Sequence, residues 1–300
     1  MTVQAEERAH RLATEPMRPA GPIKGFAAGT LETVRDLWGH RELLDLLIRR
    51  ELKARYKDSV LGFFWSLMRP LTMLLIYYVA VGKFLGASRG VDDFAIFIFT
   101  GLTAWNLFND VVATGTQSVV SNSGLVKKVY LPREIFPLST TGSALFNFII
   151  QLAILVIATI VTGALPRGAD LLYFPLAFLV LLSFGFALAL VLSAVNVYLR
   201  DVQYLVEISL MVLFWASPIV YSWTAVRDHV PAWMAEVYLA NPITLVVIGF
   251  QRAFWERGDN QPVPSDLGLR LLVALVASVA LLWVSQRIFA RLQGNFAQEL

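Results

Sequence analysis

The chain contains no cysteine, which excludes disulfides, thiolate metal sites and cysteine nucleophiles together. Histidine is almost as scarce: His10, His40 and His229 stand far apart, so no histidine-rich metal cluster is built by spacing. Charge is sparse too. Asp, Glu, Lys and Arg make up 16% of the 300 residues, against about 25% in a soluble domain. No GxxxxGK[ST] loop surrounds any lysine, which argues against ATP hydrolysis by this chain. The N-terminus, MTVQAEERAHRLATEPMRPAGP, has no apolar h-region and does not read as a cleavable signal peptide.

Apolar residues are abundant instead, at 57%, and the mean hydropathy is +0.61. A bilayer core takes roughly 20 helical residues to cross, and six apolar stretches approach that length. They run from Leu61 to Leu85, Phe94 to Val120, Leu138 to Gly163, Leu171 to Val197, Val202 to Tyr221 and Leu269 to Ala290. The pattern predicts an all-α integral membrane protein with six transmembrane helices. A seventh apolar piece, PITLVVIGF at 242–250, is too short to span and is expected to be re-entrant or interfacial.

Ahead of the spans, residues 1–29 are polar and read as a poorly ordered cytoplasmic tail, and 30–59 as an amphipathic interfacial helix. There, Leu43, Leu44, Leu47, Ile48 and Leu52 form an apolar row, and Arg49, Arg50, Lys53 and Lys57 a separate basic one. The six-span unit occupies 60–300. Placing the N-terminus in the cytoplasm puts seventeen Lys and Arg on that side and seven on the other, so both termini are expected inside. The pI of about 9.2 then reflects this positive-inside bias rather than nucleic-acid binding.

Few residues carry chemistry. Asp110, within the polar group WNLFND with Asn106 and Asn109, and Glu207 are the main acidic candidates within the spans. A charge at mid-bilayer costs about 2.5–3.5 kcal/mol, so both are expected to face protein or water. Asp110 serves either helix–helix hydrogen bonding or a pathway lining. Aromatics concentrate in GFFWSLM (Phe63, Phe64, Trp65), with Tyr77 and Tyr78 following, and in LFWASPIVYSW (Phe214, Trp215, Tyr221, Trp223). Such faces stack on the C–H faces of sugars and leave their hydroxyls wet. The compact charged stretch SGLVKKVYLPREIFPLST at 123–140 separates the second and third spans.

RRELKARYKDSVLGFFWSLMRP at 49–70 resembles the first motif of type-2 ATP-binding-cassette (ABC) export permeases, the polysaccharide exporter family. These chains export O-antigen, capsule, teichoic acid or cell-wall galactan. The motif falls on Arg55, Tyr56, Lys57, Ser59, Leu61, Gly62, Trp65 and Pro70. NVYLRD at 196–201, SPIVY at 217–221 and NPITLVVIGFQR at 241–252 resemble further family motifs in order. The resemblance spans about Leu37 to Phe289.

It implies a homodimer of six-helix half-channels paired with two ATPase subunits, which would bind the ATP and magnesium, and no cofactor in this chain. It implies a coupling helix near 124–137, where Lys127, Lys128, Arg133 and Glu134 would dock the ATPase. Arg133 and Glu134 are the leading docking residues, because Pro132 and Pro137 bracket them. It implies a lateral entrance at which Arg49, Arg50, Lys53, Arg55 and Lys57 attract the headgroup of a polyprenyl-pyrophosphate-linked polysaccharide among membrane lipids. Aromatics of the first and fifth spans, Phe63, Phe64, Trp65, Tyr77, Tyr78, Phe214, Trp215 and Tyr221, would line the glycan path. A hairpin at 227–257 would gate it from outside. A drug or small-lipid exporter of the same superfamily is the nearest rival, and a multispan glycosyltransferase a more distant one.

Overall fold

The computed structural model describes residues 26–56, 64–86, 91–129, 131–163, 168–255 and 263–300, which form helices joined by turns, without strands. Two helices, α1 (Phe26–Gly39) and α2 (Arg41–Tyr56), replace the single amphipathic helix expected at 30–59. α1 begins inside the expected tail, and the break falls at His40.

α3 (Phe64–Tyr77) passes without interruption into a π-helical segment, Tyr78–Phe84. Its wider turn is marked by the Leu85 N–H donating to Ala80 O at 3.1 Å, five residues back. α4 (Phe94–Ser121) is followed at Asn122 by the short α5 (Ser123–Lys128). α6 (Ile135–Val161) starts three residues before the expected Leu138. Pro137 is accommodated because it lies in the first turn, where N–H groups have no intrahelical acceptor.

α7 (Tyr173–Tyr198) and α12 (Leu267–Leu292) match the expected fourth and sixth spans. Between them lie α8 (Val202–Trp215), α9 (Trp223–Arg227), α10 (Ala232–Leu239) and α11 (Pro242–Phe254), and α13 (Phe296–Glu299) ends the chain.

Among the described residues, four stretches are long and apolar enough to cross a bilayer: Phe94–Ser121, Ile135–Val161, Ala169–Tyr198 and Leu267–Glu299. The six expected spans are therefore not all of one kind. α8 has 14 residues, about 21 Å at 1.5 Å per residue, short of the roughly 30 Å core. The apolar stretch of the first span, Pro70–Phe84, is similarly short.

The piece expected to be re-entrant forms α11 and meets α10 at an 84° bend. The bend has a local cause. Pro242 forces Asn241 toward extended geometry (φ −71°, ψ 116°), and the Asn241 side chain then caps α11 by accepting from the Ile243 N–H at 3.0 Å.

α4 is the central helix. In its apolar stretch 78% is buried within the protein, against 17% for α12. Small residues set its approach to α7. A Cβ on Gly115 would lie 2.6 Å from Ala189 Cβ, and one on Gly249 of α11 3.0 Å from Ala177 Cβ. At the end opposite α5, side chains strap the hairpin. Arg252 pairs with Asp170 at 2.8 Å, Arg270 grips Glu236 at 2.8 and 3.1 Å, and Trp255 Nε1 donates to Asp92 O at 2.7 Å.

Gly115→Val is expected to destabilise the chain by about 1–3 kcal/mol through forced separation of α4 and α7. Thermal unfolding in detergent checks this against Gly124→Ala, where a Cβ meets nothing within 4 Å.

Candidate functional site: a two-walled cleft and the end that carries α5

A cleft of about 580 Å³ opens between α3, α4, α6 and α8. One wall is polar. α4 contributes Asn106, Asn109 and Asp110, and α6 contributes Asn147 and Gln151. Spacings of three and four residues put each set on one helix face. Asn106 Nδ2 donates to Gln151 Oε1 at 2.9 Å, linking the two helices.

The other wall is aromatic, and Phe214 is its hub. Its ring centroid lies 5.7 Å from Tyr77, 5.4 Å from Trp105 and 5.5 Å from Trp215. Phe214 is 8% exposed and Trp215 55% exposed, so one ring anchors and the other presents. Glu207 also lines the cleft, beside Leu210 and Met211 on α8.

Three residues expected on the glycan path, Tyr77, Phe214 and Trp215, therefore share this cleft. Tyr78 turns away, 6.5 Å from Phe94 and beneath Lys83 Nζ at 5.4 Å. Tyr221 lies beyond α8, donating to Trp215 O at 2.6 Å with its oxygen 3.2 Å from that of Tyr238. Phe63 lies outside the described residues, and Phe64 and Trp65 enter only as helical positions. Trp105, Asn147 and Gln151 were missed by sequence reasoning. The four-residue spacing of Asn147 and Gln151 in an otherwise apolar helix was the available signal.

Where it meets the C-terminal segment, α5 presents Lys127 and Lys128 to solvent. Arg133 lies over the Phe296 ring at 5.8 Å. Glu134 is turned inward. It is 3% exposed and accepts from Gln293 Nε2 at 3.3 Å. Of the two residues expected to lead a docking surface, Glu134 is thus buried against the C-terminal segment, whereas Arg133 is only half-buried over Phe296. Phe296 fills the space between Tyr198 and Phe289 at 6.1 and 5.5 Å, and Tyr198 Oη donates to Leu292 O at 2.8 Å.

Burial raises the Glu134 carboxyl above the ordinary carboxylate range, opposed by its backbone hydrogen bond, by Gln293 and Gln286, and by the Arg133 charge.

The amphipathic helix is docked rather than floating. Leu47 is 4% exposed, and Ile48 lies against Gly142 of α6, where a Cβ would meet its Cδ1 at 2.5 Å. Ser139 Oγ donates to Glu51 Oε1 at 2.9 Å. Of the basic row, Arg49 pairs with Asp45 at 2.7 Å, Lys53 is exposed, and Arg50 donates through Nη2 to Asn122 Oδ1. Lys57 lies outside the described residues, and Arg55 enters only as a helical position. No group of three or more His, Cys, Asp and Glu gathers as a metal site among the described residues.

The ABC-2 type transporter family matches residues 42–255, most of the chain and all four helices that line the cleft. The chain belongs to this family. A member from Myxococcus xanthus, the O-antigen export system permease protein RfbA, is 31% identical over 271 residues, covering 90% of this chain and 100% of its own length. An RfbA protein of Klebsiella pneumoniae is 26% identical over 259 residues, 86% of this chain and 95% of its own. The polysialic acid transport protein KpsM of Escherichia coli is 22% identical over 208 residues, 68% and 78%.

Two outcomes follow from the geometry. Phe214→Ala is expected to cost about 3 kcal/mol or more, since a buried hub is lost, whereas the half-exposed Trp215→Ala leaves detergent stability nearly unchanged in the same melt. For Glu134 the folded-state value is raised, so its contribution is complete below the ordinary carboxylate range and is lost as pH rises through the raised value. Glu134→Gln is expected to flatten that fall and raise the melting temperature at neutral pH. An unaltered pH profile would remove the assignment.

Proposed function

We propose that this chain is the membrane-channel subunit of an ATP-driven exporter that carries a lipid-linked cell-envelope polysaccharide across the cytoplasmic membrane. The observation that carries the reading is the two-walled cleft. Asn106, Asn109, Asp110, Asn147 and Gln151 form a polar wall amid apolar helices, and Tyr77, Trp105, Phe214 and Trp215 form a stacking wall, with the Glu207 carboxylate also lining the cleft from α8. Carboxylates facing lipid would each cost about 2.5–3.5 kcal/mol, so they favour a water-filled path. A sugar chain matches both walls, with C–H faces on the rings and hydroxyls on the amides. The relatives' names, O-antigen and polysialic acid transport, support the substrate class.

In this reading α3 and α8 join the four long spans to make six, with both termini cytoplasmic. The chain is not itself an enzyme. Two copies assemble with two ATPase subunits, which bind ATP and magnesium. The exposed apolar residues Leu205, Ile208, Met211 and Val212 of α8 and Leu75 and Ile76 of α3 supply a face for the second copy, which would also compensate their short span. Arg49, Arg50 and Lys53 receive the pyrophosphate headgroup. α5 docks the ATPase through Lys127 and Lys128, with Arg133 and Glu134 holding the segment's shape from beneath.

Reconstitution in proteoliposomes with the ATPase subunit and lipid-linked polysaccharide tests this. Trp215→Ala is expected to lower glycan flux about fivefold, the value of one lost stacking contact, with the complex intact. Lys127→Glu with Lys128→Glu is expected to abolish ATPase binding. Equal transport of the polyprenyl lipid with and without its glycan would favour the small-lipid exporter and overturn the reading.

A further inference from the structure

We propose that Asn122 is a hinge-positioning residue through which phosphate capture by Arg50 is signalled to the α5 segment. The inference rests on the headgroup role given to the basic row.

Asn122 is the single residue between α4 and α5, with non-helical geometry at φ −107°, ψ 20°. Every polar group it owns is committed. Its N–H donates to Val119 O at 3.2 Å, its carbonyl accepts from Leu125 and Val126 at 2.9 and 3.2 Å, and Nδ2 donates to Ser118 O at 2.8 Å. Oδ1 accepts from Arg50 Nη2, and the side chain is 9% exposed. One residue on, Glu51 accepts from Ser139 Oγ, beyond the far end of the same segment. Residues 123–138 are therefore strung between two adjacent side chains of α2, Arg50 at one end and Glu51 at the other.

Only one of these two anchors attracts an anion. Arg50 is exposed, and Lys53 sits three residues along, on the same helix face. A phosphate grips a guanidinium through paired nitrogens and is a charged acceptor, whereas Asn122 offers a neutral amide oxygen. Capture between Arg50 and Lys53 draws Nη2 off Asn122 and leaves Oδ1 without its charged donor. The joint between α4 and α5 then loosens, while Glu51 still holds Ser139, so the segment pivots about its α6 end. Binding and hinge release are reciprocal by linkage: weakening the Arg50–Asn122 bond strengthens phosphate binding.

The full chain in nanodiscs provides the test, and the absence of cysteine allows two spin labels without background. Labels at Leu46→Cys and Lys128→Cys, both exposed, report the distance from α2 to α5. The arms are an isoprenoid pyrophosphate in the bilayer, phosphatidylglycerol at equal charge, and soluble inorganic pyrophosphate.

The expected result is a shifted, broadened distance distribution with the isoprenoid pyrophosphate. Asn122→Ala is expected to show the shifted distribution without ligand and to bind the lipid about tenfold more tightly, as for one lost hydrogen bond to a charged group. Arg50→Gln keeps a donor for Asn122 but no charge, and is expected to stay unshifted in every arm. An unshifted wild type that binds the lipid overturns the hinge and leaves the exporter reading standing. Absence of lipid binding overturns both. A shift with phosphatidylglycerol or soluble pyrophosphate alone also overturns it, as does an Asn122→Ala chain that folds with unchanged distance and affinity.

Discussion

At Gly115 the backbone of α4 comes so near α7 that a Cβ would stand 2.6 Å from Ala189 Cβ. That contact fixes the rotation of α4 about its own axis. Asn106 lies nine residues from Gly115, about two and a half turns at 3.6 residues per turn, and therefore on the opposite face. Asn109, Asp110 and Ala113 share that side. Once a small residue locks one face of α4 against α7, its polar face has to line whatever α3, α6 and α8 leave open. The cleft is the consequence of a close approach on the far side of the helix.

The end that carries α5 is organised by a different constraint, the filling of space around a short charged segment. α5 has only six residues, too few to be stable alone. It is held by Asn122 at its start, by the Leu47–Ile48 face of α2 on α6 nearby, and by Phe296 beneath Arg133. The C-terminal segment therefore belongs to the same assembly as the amphipathic helix, although they are far apart along the chain. A stretch that exposes Lys127 and Lys128 is thereby given a defined shape, with Glu134 buried as part of its support.

Much of this was legible in the residues. Long apolar runs show four of the spans, because a bilayer imposes a length that composition reveals directly. The motif at 49–70 identifies the family, and the spacing of Asn106, Asn109 and Asp110 shows one polar wall. The brevity of α8 was not legible. Nothing in LFWASPIVYSW marks Trp215 as its last helical residue, since the chain stays apolar while the backbone turns. The inward rotation of Glu134 was equally hidden, because two prolines in sequence suggest an exposed turn and do not reveal that Gln293 returns to donate to it.

The sequence by itself determined that this chain is a helical membrane permease of the ABC-2 family, since apolar run length and ordered local motifs need no knowledge of neighbours. Tertiary structure alone decided which aromatics meet, which charges reach the surface and that Arg50 touches Asn122. Those depend on helix rotation and on contacts between residues tens to hundreds of positions apart. Such contacts are set by close packing at a few small residues, and no local pattern records them.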